Sequence, residues 1–174
     1  MDETQKQAHF WVDQFQLQPH PEGGFYKETY RSSESVQVEA LPQRFTGSRS
    51  IATGIYYLLE SGQFSAFHRI RSDEMWHFYA GHELTIYVLL PDGQLTAIRL
   101  GADPIKGQVF QAVVPAGCWF ASRVEPGQSY ALVGCTVAPG FDFADFEMAE
   151  RQDLIQTFPQ HQQLITELTR EGEV

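Results

Sequence analysis

The stretch FHRIRSDEMWHFYAGHEL, residues 67–84, decides the fold class, because its short aromatic-rich runs are typical of β-strands. It also carries three histidines. Side chains on a strand point alternately to its two faces. If EMWHFYAG is a strand, Glu74, Trp76 and Phe78 share one face and His77 lies on the other. We therefore expect Glu74 inside the sheet structure and His77 on its outer face.

Similar short runs continue on both sides of this stretch and are separated by turn signals. The tripeptide Pro91-Asp92-Gly93, for example, lies between two such runs and indicates a hairpin. Nine short strands at this spacing are typical of an all-β sandwich or barrel rather than of parallel βαβ units. Helical periodicity appears only near the ends. The sequence thus predicts one domain over residues 1–174, with a helix at about 4–16, a barrel at about 24–146 and helices at about 147–171.

Composition narrows the class of protein and its partners. The 174 residues are 43% hydrophobic and carry a formal charge of −10, which disfavours nucleic acid and anionic membrane surfaces as partners. No apolar run is long enough for a membrane helix, and the N-terminus lacks the pattern of a signal peptide. The two cysteines, Cys118 and Cys135, are expected to be reduced. We therefore expect a cytoplasmic, soluble protein.

A spaced motif runs through the opening stretch. It consists of Gly62, His68, Ile70, Glu74 and Gly81, in the spacing G-x5-H-x-I-x3-E-x6-G. This resembles the first motif of the cupin superfamily, G-x5-H-x-H-x3-E-x6-G, with isoleucine in place of the second histidine.

A second motif, PAGCWF at residues 115–120, resembles the second cupin motif P-x-G-x2-H, with Phe120 in place of the histidine. Together with PEGGFYKETYRS, residues 21–32, the two motifs resemble the uncharacterised subgroup known as the fifth cupin type. That resemblance covers nearly the whole chain. It implies a double-stranded β-helix (the cupin jelly-roll barrel), usually dimeric, whose open mouth holds a small ligand.

The resemblance also bears on metal binding. Metal-bearing cupins use three histidines and one carboxylate, which suit Fe, Mn, Ni or Zn when they converge on one point. Carried over to this chain, His68 and Glu74 remain, while Ile70 and Phe120 replace the other two ligands. We therefore expect no bound metal and no cofactor. A metal enzyme with a reduced ligand set stays open as an alternative.

A more distant resemblance concerns metal-free cupin epimerases that act on nucleotide-linked 4-keto sugars. The run GFYKETY followed by GQFSAFH resembles their opening motifs G-F-F-x-E-S-F and G-x5-H. It implies that His68 is the catalytic base, and that Phe25 and Glu28 position the nucleotide part of the substrate. The chain departs from that pattern at Val137 and Ala138, where those enzymes carry a catalytic tyrosine.

The sequence predicts a site around His68 and Glu74. A buried carboxylate beside an imidazole tunes its pKa towards neutrality, which suits general acid–base catalysis, and it equally suits a polar pair that only orients a ligand. Trp76, Phe78 and Phe120 are expected to line an apolar pocket able to stack a flat ring or a sugar face. His82, in the turn AGHEL, is expected to be solvated.

Three functional hypotheses follow. The first is a metal-independent isomerase or epimerase acting on a carbohydrate-type or keto substrate, with His68 as base and Glu74 as its partner. The second is a ligand-binding cupin without turnover, and the third is the metal enzyme with a reduced ligand set. The expected partners are a small molecule in the barrel mouth and a second copy in a homodimer, with neither nucleic acid nor membrane.

Overall fold

Antiparallel strands form the body of the protein in a computed structural model that describes residues 3–170, with side chains from residue 7 onward. The strands are β1 Gln18–Pro19, β2 Phe25–Arg31, β3 Ser35–Val36, β4 Arg49–Ser50, β5 Thr53–Glu60, β6 Phe64–Arg69, β7 Asp73–Gly81, β8 Leu84–Leu89, β9 Leu95–Leu100, β10 Gln111–Val114, β11 Trp119–Val124, β12 Tyr130–Ala138 and β13 Glu147–Met148. The helices are α1 Glu3–Phe15, α2 Arg151–Thr157 and α3 Gln162–Glu167.

Two sheets face each other. One has six strands in the order β1-β2-β5-β12-β7-β10, and the other has five in the order β13-β6-β11-β8-β9, while β3 and β4 form a separate pair. Neighbours in each sheet are often distant in sequence, because the chain crosses repeatedly between the two sheets. The predicted jelly-roll barrel with short terminal helices is confirmed.

The core between the sheets consists of large side chains that point inward from both. Tyr57, Trp76 and Phe120 are almost fully buried there. Burying each such side chain stabilises the folded state by roughly 1.5–3 kcal/mol, so the two sheets are held face to face mainly by these contacts.

The helices cover the outer faces of the sheets. Helix α1, predicted at about 4–16, packs Trp11 and Phe15 against the outward-facing Leu58 of β5. The helices α2 and α3 cover the other sheet and contact Phe67 of β6. The predicted C-terminal helical region begins in the structure with strand β13, and its last residue, 171, lies outside the described residues.

The outer face of β7 carries His77, as strand alternation predicts. Its ring nitrogen Nε2 lies 3.1 Å from Thr136 Oγ1, and its ring stacks beside the exposed ring of Tyr79. His82 lies exposed in the next turn, where its Nδ1 accepts a hydrogen bond from the backbone N–H of Ser129. The homodimer expected from the sequence stays a prediction.

Within residues 3–170, no helix has both the length and the apolar character required to cross a membrane.

Candidate functional site

A cavity of about 480 Å³ lies between the two sheets. Strands β2, β5, β7 and β12 of the first sheet, β6 of the second, the turn before β2 and the loop after β12 all contribute to its wall. Its polar lining residues are His20, Glu22, Glu28, Arg31, Thr53, His68, Glu74, Cys135 and Asp142. The apolar ones are Ile55, Ile70, Val137, Phe141, Phe143 and Phe146, together with Tyr26.

The tight turn at residues 20–24 places two ionisable side chains in this cavity. The backbone N–H of His20 donates to Gly24 O at 3.0 Å, and that of Gly23 donates to His20 O at 3.0 Å. Gly23 has φ of 116°, and a Cβ atom there would lie 2.2 Å from the backbone oxygen of Phe64. Only glycine allows this close approach to β6, which turns Glu22 inward.

Glu22 and His68 form a buried ion pair. Glu22 Oε2 lies 2.8 Å from His68 Nε2, and both side chains are at most 8% exposed. His68 Nδ1 lies 2.7 Å from the carbonyl oxygen of Ala66, so it must carry a proton and donate it. Both ring nitrogens of His68 are therefore engaged.

The pKa values of the pair shift in opposite directions. Burial by itself would lower the pKa of His68, but the charge and hydrogen bond of Glu22 raise it above its ordinary value. Burial would likewise raise the pKa of the Glu22 carboxyl, yet the His68 charge and hydrogen bond hold it below its ordinary value. The pair is thus an imidazolium beside a carboxylate, which compensates both buried charges.

His20 is in a different state. The backbone N–H of Glu22 donates to His20 Nδ1 at 3.2 Å, so Nδ1 is an acceptor and the ring proton lies on Nε2. Burial lowers the pKa of His20 below its ordinary value, although the Glu22 carboxylate acts in the opposite direction. The cavity therefore contains a neutral imidazole with an N–H donor.

Glu74, on β7, is buried in the same cavity. Burial raises its pKa to about 7, although the positive charge of His68 acts in the opposite direction. A carboxyl group with this pKa is able both to accept and to release a proton near neutral pH. Burial raises the pKa of the neighbouring Cys135 thiol well above its ordinary value, so this cysteine stays protonated.

The predicted pairing of His68 with Glu74 is only partly what the structure contains. Both residues line the cavity and interact through their charges, but the partner that bonds His68 Nε2 is Glu22. The alternation of β7 correctly places Glu74 inside. The pattern of β7 contains no information about the turn some fifty residues earlier, which supplies Glu22, the carboxylate that bonds His68 in place of Glu74.

The predicted aromatic pocket is not formed by the residues expected. Trp76 and Phe120 are 1% exposed within the core and do not line the cavity, and the Phe120 ring packs behind His68 with centroids 4.1 Å apart. Phe78 packs against the same core and lines a different depression. The aromatic walls come instead from Phe141 and Phe146 in the loop after β12.

Phe25 and Glu28 lie on opposite sides of the first sheet. Phe25 packs with the residues beneath helix α1, away from the cavity. Glu28 lines the cavity, and Arg31 Nε and Nη2 donate to its two carboxylate oxygens at 2.9 and 2.7 Å. Strand alternation separates these two residues, since they are three positions apart.

The donor set does not fit the metal site of a cupin. Ile70, which lines the cavity, and Phe120 occupy two positions where imidazoles would be needed, and both ring nitrogens of His68 are engaged. Within the described part of the chain, no group of three histidine, cysteine or acidic side chains converges as metal ligands would.

Sequence reasoning missed Glu22 and His20 as site residues. The segment HPEGG containing them has a signal that points to a sharp turn, namely two consecutive glycines after a proline. The direction in which that turn projects its side chains depends on its packing against Phe64 of β6, which the sequence does not specify.

The raised pKa of Glu74 predicts a pH dependence of stability. Between 4.5 and about 7 the folded chain retains a proton that the unfolded chain has released, so stability falls as pH rises through this interval. The Glu74 contribution to this loss is about 3 kcal/mol. Glu74→Gln should therefore be stabilised relative to the native chain at about pH 8 but not at about pH 5, in urea unfolding followed at both.

The matched control for that comparison is Glu167→Gln, which removes an exposed carboxylate paired with Arg123. If Glu74→Gln and the native chain lose stability equally over this interval, Glu74 does not titrate there.

The Glu22–His68 pair predicts the titration of His68. In Glu22→Gln the burial of His68 remains and the carboxylate is lost, so the pKa of His68 should fall, as NMR titration of the imidazole Cε1–H would report. The control is Glu28→Gln, which removes a carboxylate that lines the same cavity but pairs with Arg31. This change should leave the pKa of His68 unchanged. An unchanged His68 titration in Glu22→Gln would contradict the ion pair.

Two solved structures share the whole architecture. Protein SO0799 from Shewanella oneidensis is 39% identical with a TM-score of 0.85, the alignment covering 95% of this chain and 98% of that one. A hypothetical protein from Leishmania major is 34% identical with a TM-score of 0.84, covering 94% of this chain and 99% of that one. The uncharacterised yeast protein YML079W from Saccharomyces cerevisiae is 32% identical over an alignment of 151 positions, which covers 82% of this chain and 75% of that one.

Oxalate decarboxylase from Bacillus subtilis shares the fold at greater distance. It is 13% identical with a TM-score of 0.54, over 89% of this chain and 37% of that one, so the likeness concerns the fold alone. The sequence profile described as Cupin superfamily (DUF985) matches residues 9–149. The chain therefore belongs to the cupin superfamily, in the family of that description.

Proposed function

We propose that this protein is a metal-independent isomerase or epimerase that moves a proton on a small, uncharged carbohydrate-type carbonyl compound. The observation that carries the proposal is Glu74, a buried carboxyl group with a pKa of about 7 in the wall of a 480 Å³ cavity. Buried acids with such values are typical of general acid–base sites. The cavity is large enough for a single small-molecule ligand.

Glu74 and His20 supply complementary groups for this chemistry. The Glu74 carboxylate takes the proton from a carbon beside the carbonyl, and the C–H electron pair forms a carbon–carbon double bond. The carbonyl π pair then moves to its oxygen, which accepts a hydrogen bond from His20 Nε2–H. A neutral imidazole suits this role because it stabilises the developing charge without ionising. Glu74 then returns the proton in one of two ways. In isomerisation the proton goes to the carbonyl carbon, while the neighbouring hydroxyl passes its own proton to the former carbonyl oxygen and becomes the new carbonyl. In epimerisation the intermediate turns over in the cavity before the same carbon receives the proton on its other face.

The Glu22–His68 pair serves as a positioning element in this scheme. The sequence assigned the base role to His68, but both of its ring nitrogens are hydrogen-bonded, which favours Glu74 as the group that accepts the substrate proton. The imidazolium charge of His68 opposes the effect of burial on Glu74, which keeps the Glu74 pKa close to neutrality rather than far above it.

The charges of the cavity support an uncharged substrate. The fully ionised cation in its wall, Arg31, is held by both oxygens of Glu28, and the His68 charge is compensated by Glu22. Neither positive charge is available to a phosphate or carboxylate. The carboxylate of Asp142, which lines the same cavity, also disfavours an anionic ligand such as a nucleotide-linked sugar.

A binding function without turnover is the second candidate. It is favoured by the engagement of both His68 nitrogens, because a ring whose two nitrogens are bonded within the protein has none left to exchange a proton with a ligand. The two candidates differ in whether the ligand exchanges hydrogen with solvent.

Exchange in heavy water tests the proposal. When the protein is incubated with a panel of uncharged aldoses and ketoses, NMR should show deuterium entering the carbon beside the carbonyl of a substrate. The rate should rise as pH increases through about 7, because Glu74 must be ionised to accept a proton. Glu74→Gln should reduce the rate at least about 100-fold, the usual contribution of a general acid–base group.

Glu167→Gln, outside the cavity, should keep the native rate. Exchange that persists unchanged in Glu74→Gln would remove Glu74 from the mechanism. A sugar that raises the melting temperature saturably but never exchanges would instead support the binding function.

A further inference from the structure

A second depression of about 380 Å³ lies beside the cavity, and three arginines line it. Arg69 follows His68 at the end of β6, Arg71 lies in the turn before β7, and Arg44 comes from the segment between β3 and β4. Ile70 and Phe146 line both this arginine cleft and the cavity. The cleft thus shares a wall with the cavity, but arginines rather than histidines and carboxylates dominate its polar lining.

The acidic residues of the cleft are largely committed to other partners. Asp145 accepts two hydrogen bonds of 2.7 Å from the buried Arg49, which leaves Arg71 Nε at 3.8 Å from the nearer oxygen. Glu147 is paired with Arg69 at 2.8 Å. Arg44 forms no ion pair with any described residue. Arg44 therefore has no carboxylate partner among the described residues, and Arg71 has only the longer contact with an Asp145 that is already bonded to Arg49.

Two reciprocal hydrogen bonds hold these arginines together. Arg44 Nε donates to the carbonyl oxygen of Arg71 at 2.6 Å, and Arg71 Nη1 donates to the carbonyl oxygen of Arg44 at 2.7 Å. Neither Nη group of Arg44 has a hydrogen-bond partner within residues 3–170. The arrangement holds two like charges in one solvent-accessible cleft and leaves planar N–H donors of Arg44 open to a ligand.

We propose that the arginine cleft binds a small free oxyanion of the phosphate type. Guanidinium groups match phosphate oxygens with paired, charge-assisted hydrogen bonds. The protein as a whole carries a charge of −10, so the arginine cleft is locally opposite in sign to the protein and is a place where an anion is attracted. The proposal does not depend on the reaction assigned to the cavity, because the cleft has its own donors.

Titration with inorganic phosphate at constant ionic strength tests this site. In the native protein, the Nε–H resonances of Arg44 and Arg71 should shift saturably in NMR spectra, while that of Arg99, which is held by both oxygens of Glu83, should not. In calorimetry, Arg44→Gln and Arg71→Gln should each weaken phosphate binding roughly tenfold, as expected for one lost charge-assisted contact.

Arg99→Gln is the matched control and should bind phosphate like the native protein. Arg44→Lys retains the charge without the planar donors, and should bind with intermediate affinity if the reciprocal bonds matter. The native-protein titration needs no variant, so a folding defect in a variant does not affect it. Absence of saturable shifts at Arg44 and Arg71, or an equal loss in Arg99→Gln, would overturn the proposal.

Discussion

The buried ion pair between Glu22 and His68 is the interaction on which the site depends. An isolated charge in this interior would be strongly destabilising, so each of the two residues is charged only because the other is beside it. The pair fixes the turn at residues 20–24 against β6 and engages both nitrogens of the His68 ring. Its imidazolium also influences the proton affinity of Glu74.

The same pair explains how the remaining histidine of this cupin barrel finds a partner without the usual imidazole cluster. Where other members of the superfamily are expected to gather three histidines, this chain has Ile70 and Phe120, and a carboxylate from outside the two motifs meets the remaining histidine. The result is a set of groups with different protonation states in one cavity, which suits proton transfer better than metal coordination.

Much of the fold could be predicted from the sequence, because strand periodicity and turn residues are local signals. Strand alternation also placed Glu74 inside and His77 outside. It could not separate a core position from a cavity wall, and so Trp76 and Phe120 were expected at the pocket although they lie behind it. The contributions of His20, Glu22 and the 141–146 loop depend on tertiary packing between distant segments, which no local pattern encodes.

Metal content is the measurement that tests most directly whether the Glu22–His68 pair has replaced the metal of the fold. Protein purified without chelator from cells supplied with iron, manganese, nickel and zinc is analysed for bound elements. We expect every transition metal to be far below one atom per chain, since the ligand positions are apolar or already bonded. One transition-metal ion per chain in the native protein, absent from His68→Ala, would contradict the ion pair as the organising element of this site.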